Sequence, residues 1–196
     1  NGQLGHEMRN ALKGNNRFEC IFTDVAELDI CNTEAVKQTM ANNHIDYIVN
    51  CAAYTQVDKA EDNAELCKKI NTDAVENLAR AAADYGARMI HISTDYVFNG
   101  RGYRPYTEDM VPDPQSVYGS TKLEGEKILT DICPESIIIR TAWLYSPYGN
   151  NFVKTMLHLG EEREELSVVA DQIGTPTCAA DLAQAILVIL QADTFV

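Results

Sequence analysis

Positive charge is scarce in this chain: 16 lysines and arginines stand against 29 aspartates and glutamates, a net charge of −13 over 196 residues. So acidic a surface repels a phosphate backbone, which argues against nucleic acid and anionic membranes as partners, and any anionic ligand must be gripped locally. No apolar run approaches the roughly 20 residues of a membrane span, and no basic-then-apolar segment opens the chain. A cytoplasmic protein is the expectation. Paired cysteines are missing as well. Cys20, Cys31, Cys51, Cys67, Cys133 and Cys178 are scattered, with no C-x-x-C pair and no His-rich neighbourhood. That spacing excludes a structural zinc site, predicts no metal centre, and suggests reduced thiols within the core. An initiating Met is absent too. The chain opens in the middle of a motif and stops on the apolar Phe195-Val196, so the expectation is a lost first strand and a cut carboxy end, with an exported precursor left open.

What is present is an alternation of short apolar runs with amphipathic stretches. Strands are predicted at Glu19 to Thr23, Tyr47 to Ala52, Arg88 to Ser93 and Ser136 to Thr141, each short and most of them rich in Ile or Val. Helices are predicted at Leu4 to Lys13, Thr33 to Asn42, Ala64 to Tyr85, Val117 to Asp131, Phe152 to Glu164 and about Ala179 to Gln191. Strand-helix alternation means an α/β chain with a doubly wound parallel sheet. The run Ile137-Ile138-Ile139 agrees, because a central parallel strand is covered on both faces. Phe98 to Pro114 is a long loop of Gly, Pro, Asp and Arg, and loops of that length inside a compact domain are usually functional.

Tyr118 and Lys122 stand four residues apart at the start of the helix that follows the Pro-rich stretch around Pro112 and Pro114, which places both on one helix face. A lysine ammonium beside a phenol favours phenolate and lowers the tyrosine pKa, the chemistry that carbonyl reduction needs. A solvated i,i+4 pair is the competing reading, so the companions decide. Gly2-Gln3-Leu4-Gly5 before a helix has the form of the second half of a glycine-rich pyrophosphate turn. Asp24, 19 residues after Gly5, falls where a carboxylate accepts hydrogen bonds from an adenosine ribose. Three further positions sit at strand ends, where such sheets carry ligands: Asp29-Ile30, Ala53-Tyr54-Thr55 and Ser93-Thr94-Asp95. The threonine hydroxyl of the last can hydrogen-bond a carbonyl oxygen, giving with Tyr118 and Lys122 a donor, a pKa tuner and an orienting group.

These residues resemble the extended short-chain dehydrogenase/reductase family, and within it the reductases of dTDP-linked 4-dehydro sugars. The resemblance runs through Gly-Gln-Leu-Gly at 2 to 5, Asn-Cys-Ala-Ala-Tyr-Thr at 50 to 55 and Val-Asp-Lys-Ala-Glu at 57 to 61. It continues in Ser-Thr-Asp-Tyr-Val-Phe at 93 to 98, Tyr-Gly-Ser-Thr-Lys-Leu-Glu-Gly-Glu at 118 to 126 and Arg-Thr-Ala-Trp-Leu-Tyr at 140 to 145. Asn-Asn-Phe at 150 to 152 and Asp-Gln-Ile-Gly-Thr-Pro-Thr at 171 to 177 complete it. The tyrosine-lysine pair marks the superfamily; Ser-Thr-Asp-Tyr-Val-Phe with Asp-Gln-x-Gly-x-Pro-Thr narrows it.

The resemblance implies a Rossmann-like fold, with a dinucleotide-binding domain over residues 1–145 and part of a substrate-binding region over 146–196. It implies hydride transfer from NADPH or NADH to C4 of dTDP-4-dehydro-6-deoxy-L-mannose, giving dTDP-L-rhamnose. Tyr118 would protonate the C4 oxygen, Lys122 would hold the nicotinamide ribose, Thr94 would bind the same oxygen, and Asp95 and Trp143 would touch the sugar. For the cofactor it implies Gly2, Gln3 and Leu4 at the pyrophosphate, Asp24 at the ribose, Asp29 and Ile30 beside the adenine and Ala53, Tyr54 and Thr55 at the nicotinamide. An acidic Asp24 with no adjacent Arg favours NADH. Some family members bind Mg2+ through acidic residues at a dimer contact, and Glu7 and Asp181 fall near the corresponding places, although surface carboxylates are the plainer reading; a monomer or homodimer is expected. Two other readings stay open: a nucleotide-sugar epimerase or dehydratase, and a noncatalytic reductase-like regulatory subunit.

Overall fold

A computed structural model describes residues 2–192. In chain order the elements are α1 (Gln3–Ala11), α2 (Thr33–Asn43), β1 (Tyr47–Asn50), α3 (Val57–Asp62) and α4 (Ala64–Lys68). A π-helical turn, Lys69–Asp73, then leads into α5 (Ala74–Tyr85), followed by β2 (Arg88–Thr94), a 3-10 turn at Asp95–Val97, α6 (Val117–Ile132) and β3 (Ile137–Thr141). The last elements are β4 (Leu144–Tyr145), α7 (Phe152–Glu162), β5 (Thr177–Cys178) and α8 (Ala179–Gln191). The described residues form two compact units: residues 2–22 with 141–192, and residues 23–140. Asn1, Phe195 and Val196 lie outside the described residues.

The 23–140 unit carries a three-stranded sheet in the order β1-β2-β3. β1 and β2 run parallel, in a register that sets Tyr47 against Arg88 and Asn50 against His91. Met89, Ile90 and His91 are wholly buried, which is why this strand reads as an apolar run. Val36 and Met40 of α2, Val75, Leu78, Ala79 and Ala82 of α5, Met89 and Leu129 of α6 form one core cluster. Caps fix the helices where the side chains allow: Asn32 accepts from Ala35 N at 3.1 Å and Ser116 from Gly119 N at 3.1 Å. α5 ends on Gly86 in the left-handed conformation, φ 70°.

Two glycines of α6 are there because backbone approaches backbone. A Cβ at Gly119 would meet the carbonyl of Tyr96, and one at Gly125 the carbonyl of Asn71 in the π-helical turn. The second contact seats α6 on the helix that precedes β2. Gly125→Ala is expected to lose about 1–3 kcal/mol by overpacking against a carbonyl that cannot rotate away, read as the shift in a urea unfolding midpoint; unchanged stability would contradict the seating.

The smaller unit pairs β4 with β5 in parallel, Leu144 against Thr177 and Tyr145 against Cys178, and α1 packs on α8. Leu4 and Met8 of α1 and Ala179, Leu182, Ala183, Ile186 and Leu187 of α8 are buried.

Three expectations need correction. Glu19 to Thr23 does not join the sheet: apolar character alone does not make a strand without a laddered neighbour, and Glu19, Cys20, Ile21 and Thr23 are exposed. The helix expected from Ala64 to Tyr85 runs its length but widens to i→i+5 bonding at Lys69–Asp73. Of the cysteines, Cys67 is buried, Cys31, Cys133 and Cys178 are partly so, and Cys20 and Cys51 are exposed, all six as free thiols. No helix among the described residues is long and apolar enough to cross a membrane.

Candidate active site

The carboxyl end of β2 and the first two turns of α6 bring Thr94, Asp95, Tyr118 and Lys122 together in the 23–140 unit. Lys122 is 1% exposed and Tyr118 8%, so neither belongs to a solvated surface pair. Tyr118 packs with Ala60 and Cys67, and Tyr54 and Val117 lean on that cluster. The Tyr96 ring meets it edge-on, centroids 5.5 Å apart. Thr94 hydrogen-bonds the phenol, donates from Oγ1 to Asp95 Oδ1 at 3.1 Å and accepts from Tyr96 N at 3.2 Å. Ser93 Oγ, one residue earlier, is buried and has no hydrogen-bond partner among the described residues.

The electrostatics differ from what the spacing alone suggests. Tyr118 is not lowered by Lys122. Burial pushes the phenol up to about 12, and the Thr94 hydrogen bond opposes that only in part. Lys122 is drawn down to about 8, chiefly by burial. Two ionisable groups share one dry environment, and desolvation disfavours the charged form of each. Tyr118 is therefore a protonated phenol throughout the neutral range, which suits a proton donor to a carbonyl rather than a base. Asp95 is raised by burial, against the Thr94 hydrogen bond.

Lys122 reaches backward into the sheet. Its Nζ donates to the Ile92 carbonyl at 2.7 Å and lies 3.1 Å from His91 Nε2. His91 Nδ1 is 3.1 Å from Asn50 Nδ2, and Asn50 Oδ1 accepts from Ala52 N at 3.0 Å. Asn71, buried in the π-helical turn, grips the strand exit: its Oδ1 accepts from Tyr54 N at 2.9 Å and its Nδ2 donates to Tyr54 O at 3.1 Å. Asn50, His91 and Asn71 escape sequence reasoning, although a histidine inside Met-Ile-His-Ile-Ser is a polar group where a covered strand has no need of one.

Of the remaining anticipated residues of this unit, Asp24, Asp29 and Ile30 lie in the turns before α2 and not at the end of a strand, while Ala53, Tyr54 and Thr55 follow β1. Asp24 opens a turn, accepting from Val25 N at 2.7 Å, and its own amide donates to Glu27 Oε2 at 2.9 Å. Asp29 Oδ1 accepts from Cys31 N at 2.9 Å, and the Ile30 carbonyl accepts from Asn77 Nδ2 of α5 at 3.1 Å. Ala53 and Tyr54 are half-buried and Thr55 exposed.

Gly2, Gln3, Leu4 and Trp143 belong to the smaller unit. Gly2 caps α1 with no side-chain hydrogen bond. Gln3 is fixed, its Oε1 accepting from Asn151 Nδ2 at 2.8 Å and its Nε2 donating to Leu144 O at 3.3 Å. Trp143 stands in the left-handed region, φ 48°, is 45% exposed, and lies against Gly174, where a Cβ would come within 2.8 Å of the indole. A bulky residue held at positive φ is strained backbone of the kind that functional sites retain. Glu7 is buried and bonded by Asn10 Nδ2 at 3.2 Å, and among the described residues no group of three or more His, Cys, Asp or Glu converges on a metal position.

A family model, the RmlD substrate binding domain, matches residues 1–195. The chain belongs to that family. It is 48% identical over 188 residues to the dTDP-4-dehydrorhamnose reductase of Escherichia coli strain K12, covering 93% of this chain and 62% of that protein. It is 43% identical over 190 residues to the Aggregatibacter actinomycetemcomitans protein of the same name, 97% of this chain and 65% of that one. The chain thus spans somewhat under two thirds of these curated relatives. The crystal structure of a dTDP-4-dehydrorhamnose reductase from Clostridium acetobutylicum matches with TM-score 0.94 at 50% identity, over 97% of this chain and 67% of that one. The Bacillus anthracis enzyme of that name, in complex with NADP, matches with TM-score 0.94 at 43% identity, over 98% and 68%. A Thermus thermophilus UDP-glucose 4-epimerase shares the Rossmann-like fold alone, at 17% identity and TM-score 0.76.

Proposed function

We propose that this chain is the greater part of an NADPH- or NADH-dependent reductase that converts the C4 ketone of dTDP-4-dehydro-6-deoxy-L-mannose to the alcohol of dTDP-L-rhamnose. The observation that carries the reading is the buried, protonated Tyr118 held by Thr94 and backed by Lys122, in a chain nearly half identical to proteins named for that reaction. Residues 1–145 form the dinucleotide-binding domain and 146–196 part of the substrate-binding region, and the protein acts in the cytoplasm as a monomer or homodimer.

The residues fit a dinucleotide. Within the 23–140 unit Ser93 Oγ is a buried polar atom with no partner among the described residues, and a phenol and an amine are donors that ribose hydroxyls accept from. Reduced nicotinamide, when bound, supplies the hydride. Tyr118 Oη gives its proton to the C4 oxygen as that oxygen gains charge, and Thr94 Oγ1 turns its hydrogen from Asp95 to the same atom. Lys122 holds a ribose hydroxyl and, when charged, favours the phenolate left behind. The resemblance assigns Asp95 and Trp143 to the sugar, Ala53–Thr55 to the nicotinamide, and Asp29 and Ile30 to the adenine. Gly2, Gln3 and Leu4 bind the pyrophosphate and Asp24 the adenosine ribose.

Asp24→Ala is expected to weaken NADH about tenfold, the loss of one hydrogen bond to a charged group, and to weaken NADPH less, because Asp24 repels a 2′-phosphate. Isothermal titration with both cofactors reads the difference; equal weakening would remove Asp24 from the ribose. The reaction itself is tested by mixing the full-length gene product with NADPH or NADH and the 4-dehydro sugar nucleotide. Stoichiometric loss of reduced cofactor with appearance of dTDP-L-rhamnose is expected. An epimerase would return a sugar isomer with no net cofactor consumed, and a regulatory subunit would turn nothing over.

A further inference from the structure

The hydrogen bonds that run from Ala52 through Asn50 and His91 to Lys122 cannot be drawn with an ordinary lysine at their end. Asn50 Oδ1 accepts from Ala52 N at 3.0 Å, so the amide nitrogen is the atom turned to His91 Nδ1, 3.1 Å away. An amide nitrogen only donates, so Nδ1 must accept. A neutral imidazole that accepts at Nδ1 carries its proton on Nε2 and donates there. The atom 3.1 Å from Nε2 is Lys122 Nζ, and an ammonium has no lone pair with which to accept. Turning the Asn50 amide over does not rescue the count, because its NH2 would then face the Ala52 N–H. The series closes when Lys122 is an amine, accepting from His91 Nε2–H and donating to Ile92 O at 2.7 Å.

We infer that Asn50 and His91 are positioning residues for Lys122: Asn50 locks His91 as the Nε2–H tautomer, and that donor stabilises the neutral amine of Lys122. The pair lies in adjacent parallel strands at matched register, Asn50 beside His91, with exposures of 5% and 0%, so no solvent can substitute for either partner. His91 is held well below its usual range by burial and then by Lys122, and Lys122 falls to about 8. The titratable groups facing Lys122 are Glu126 on its own helix, which Arg140 binds, Cys67 of α4 and His91 of β2; Glu126 and Cys67 both favour the ammonium. The relay is thus the local hydrogen-bonding element that works with burial against the charge. When Lys122 takes a proton it loses the His91 contact, leaving the ammonium free to turn toward a ligand hydroxyl. The same Asn50 oxygen anchors the Ala52 amide, so the lock ties Lys122 to the start of the Ala53–Thr55 loop.

The chemistry of the relay rests on the proposed site but not on the identity of its sugar substrate, and its first test needs no turnover. The full-length protein is labelled with 15N-histidine, and the His91 ring signals are assigned by their absence from a His91→Gln variant. Long-range 15N–1H correlation is then recorded from pH 6 to 10. An unprotonated Nδ1 and a protonated Nε2 throughout are expected, with the Lys122 ε-amine titrating below its usual range. Asn50→Asp, whose carboxylate accepts from both neighbours, is expected to move the ring proton to Nδ1. Asn50→Ala, which adds no charge, is expected to raise the Lys122 titration by about one unit, a tenfold change in its acid constant, and to move the matching limb of the kcat/KM pH profile. A His91 protonated at Nδ1 in the parent, or a Lys122 titration indifferent to Asn50→Ala, would overturn the inference. Failure to reduce the sugar nucleotide alongside the expected tautomer would instead count against the proposed substrate alone.

Discussion

Tyr118→Phe is expected to fold as the parent does, bind reduced nicotinamide nearly as well and lose about 10²–10⁴ in kcat, the range that general acid catalysis contributes. The ring does the packing: it fills the cluster with Ala60 and Cys67 and meets Tyr96 edge-on, and phenylalanine keeps those contacts. What goes is one hydroxyl that Thr94 binds, worth about 1 kcal/mol to stability but the whole proton supply to the C4 oxygen. Because burial holds the phenol at about 12, the parent should show no alkaline loss of donor until well above neutrality. Steady-state kinetics with a thermal melt separates the two effects. A Phe variant as active as the parent would take the proton-donor role from Tyr118.

Arg140→Met is expected to cost about 3–5 kcal/mol, the loss that follows when one partner of a buried ion pair is removed. Glu126 on α6 is 3% exposed, and the Arg140 guanidinium grips it with two bonds, Nε to Oε1 at 3.0 Å and the terminal nitrogen to Oε2 at 2.7 Å. Arg140 also covers the Phe98 ring, 5.0 Å from its centroid. Methionine keeps the stem and removes the fork, leaving a carboxylate buried without a counter-charge. The double change Arg140→Met with Glu126→Leu is expected to recover most of the loss, since a well-packed apolar pair can replace a buried ion pair at little net cost. Denaturant unfolding of the three variants forms the test, and a double variant no better than Arg140→Met would show that packing around Arg140, not charge, dominates. The pair matters beyond stability, for Glu126 is the group that most favours the ammonium of Lys122.

The parts of this fold legible in the sequence are those that local periodicity controls. α2, α6 and α8 fall where the apolar spacing puts them, α5 closes the helix expected from Ala64, and β1, β2 and β3 match the apolar runs to within two residues. α3 escaped because Val-Asp-Lys-Ala-Glu-Asp carries charge at nearly every turn and buries only Ala60. The π-helical turn escaped because its cause lies elsewhere in the chain, at Gly125 and at the Tyr54 backbone that Asn71 holds. β4 and β5 are two residues each, too short for any period. At the site, spacing was enough to place Tyr118 and Lys122 on one helix face and Thr94 at a strand end. It misled on the phenol: a helix offset conveys proximity but not burial, and burial decides the direction here. The Asn50–His91 relay was invisible for a related reason, since it depends on strand register and on which nitrogen of a buried ring bears a proton.

The most direct test of the proposed chemistry follows the hydride itself. The full-length protein is given reduced nicotinamide deuterated at the transferable C4 position together with dTDP-4-dehydro-6-deoxy-L-mannose, and the product sugar nucleotide is analysed by NMR and mass spectrometry. The account predicts one deuterium, at C4 of the sugar of dTDP-L-rhamnose, in proportion to cofactor oxidised. A product without deuterium, or a folded, cofactor-bound protein that leaves both reactants unchanged, would contradict it.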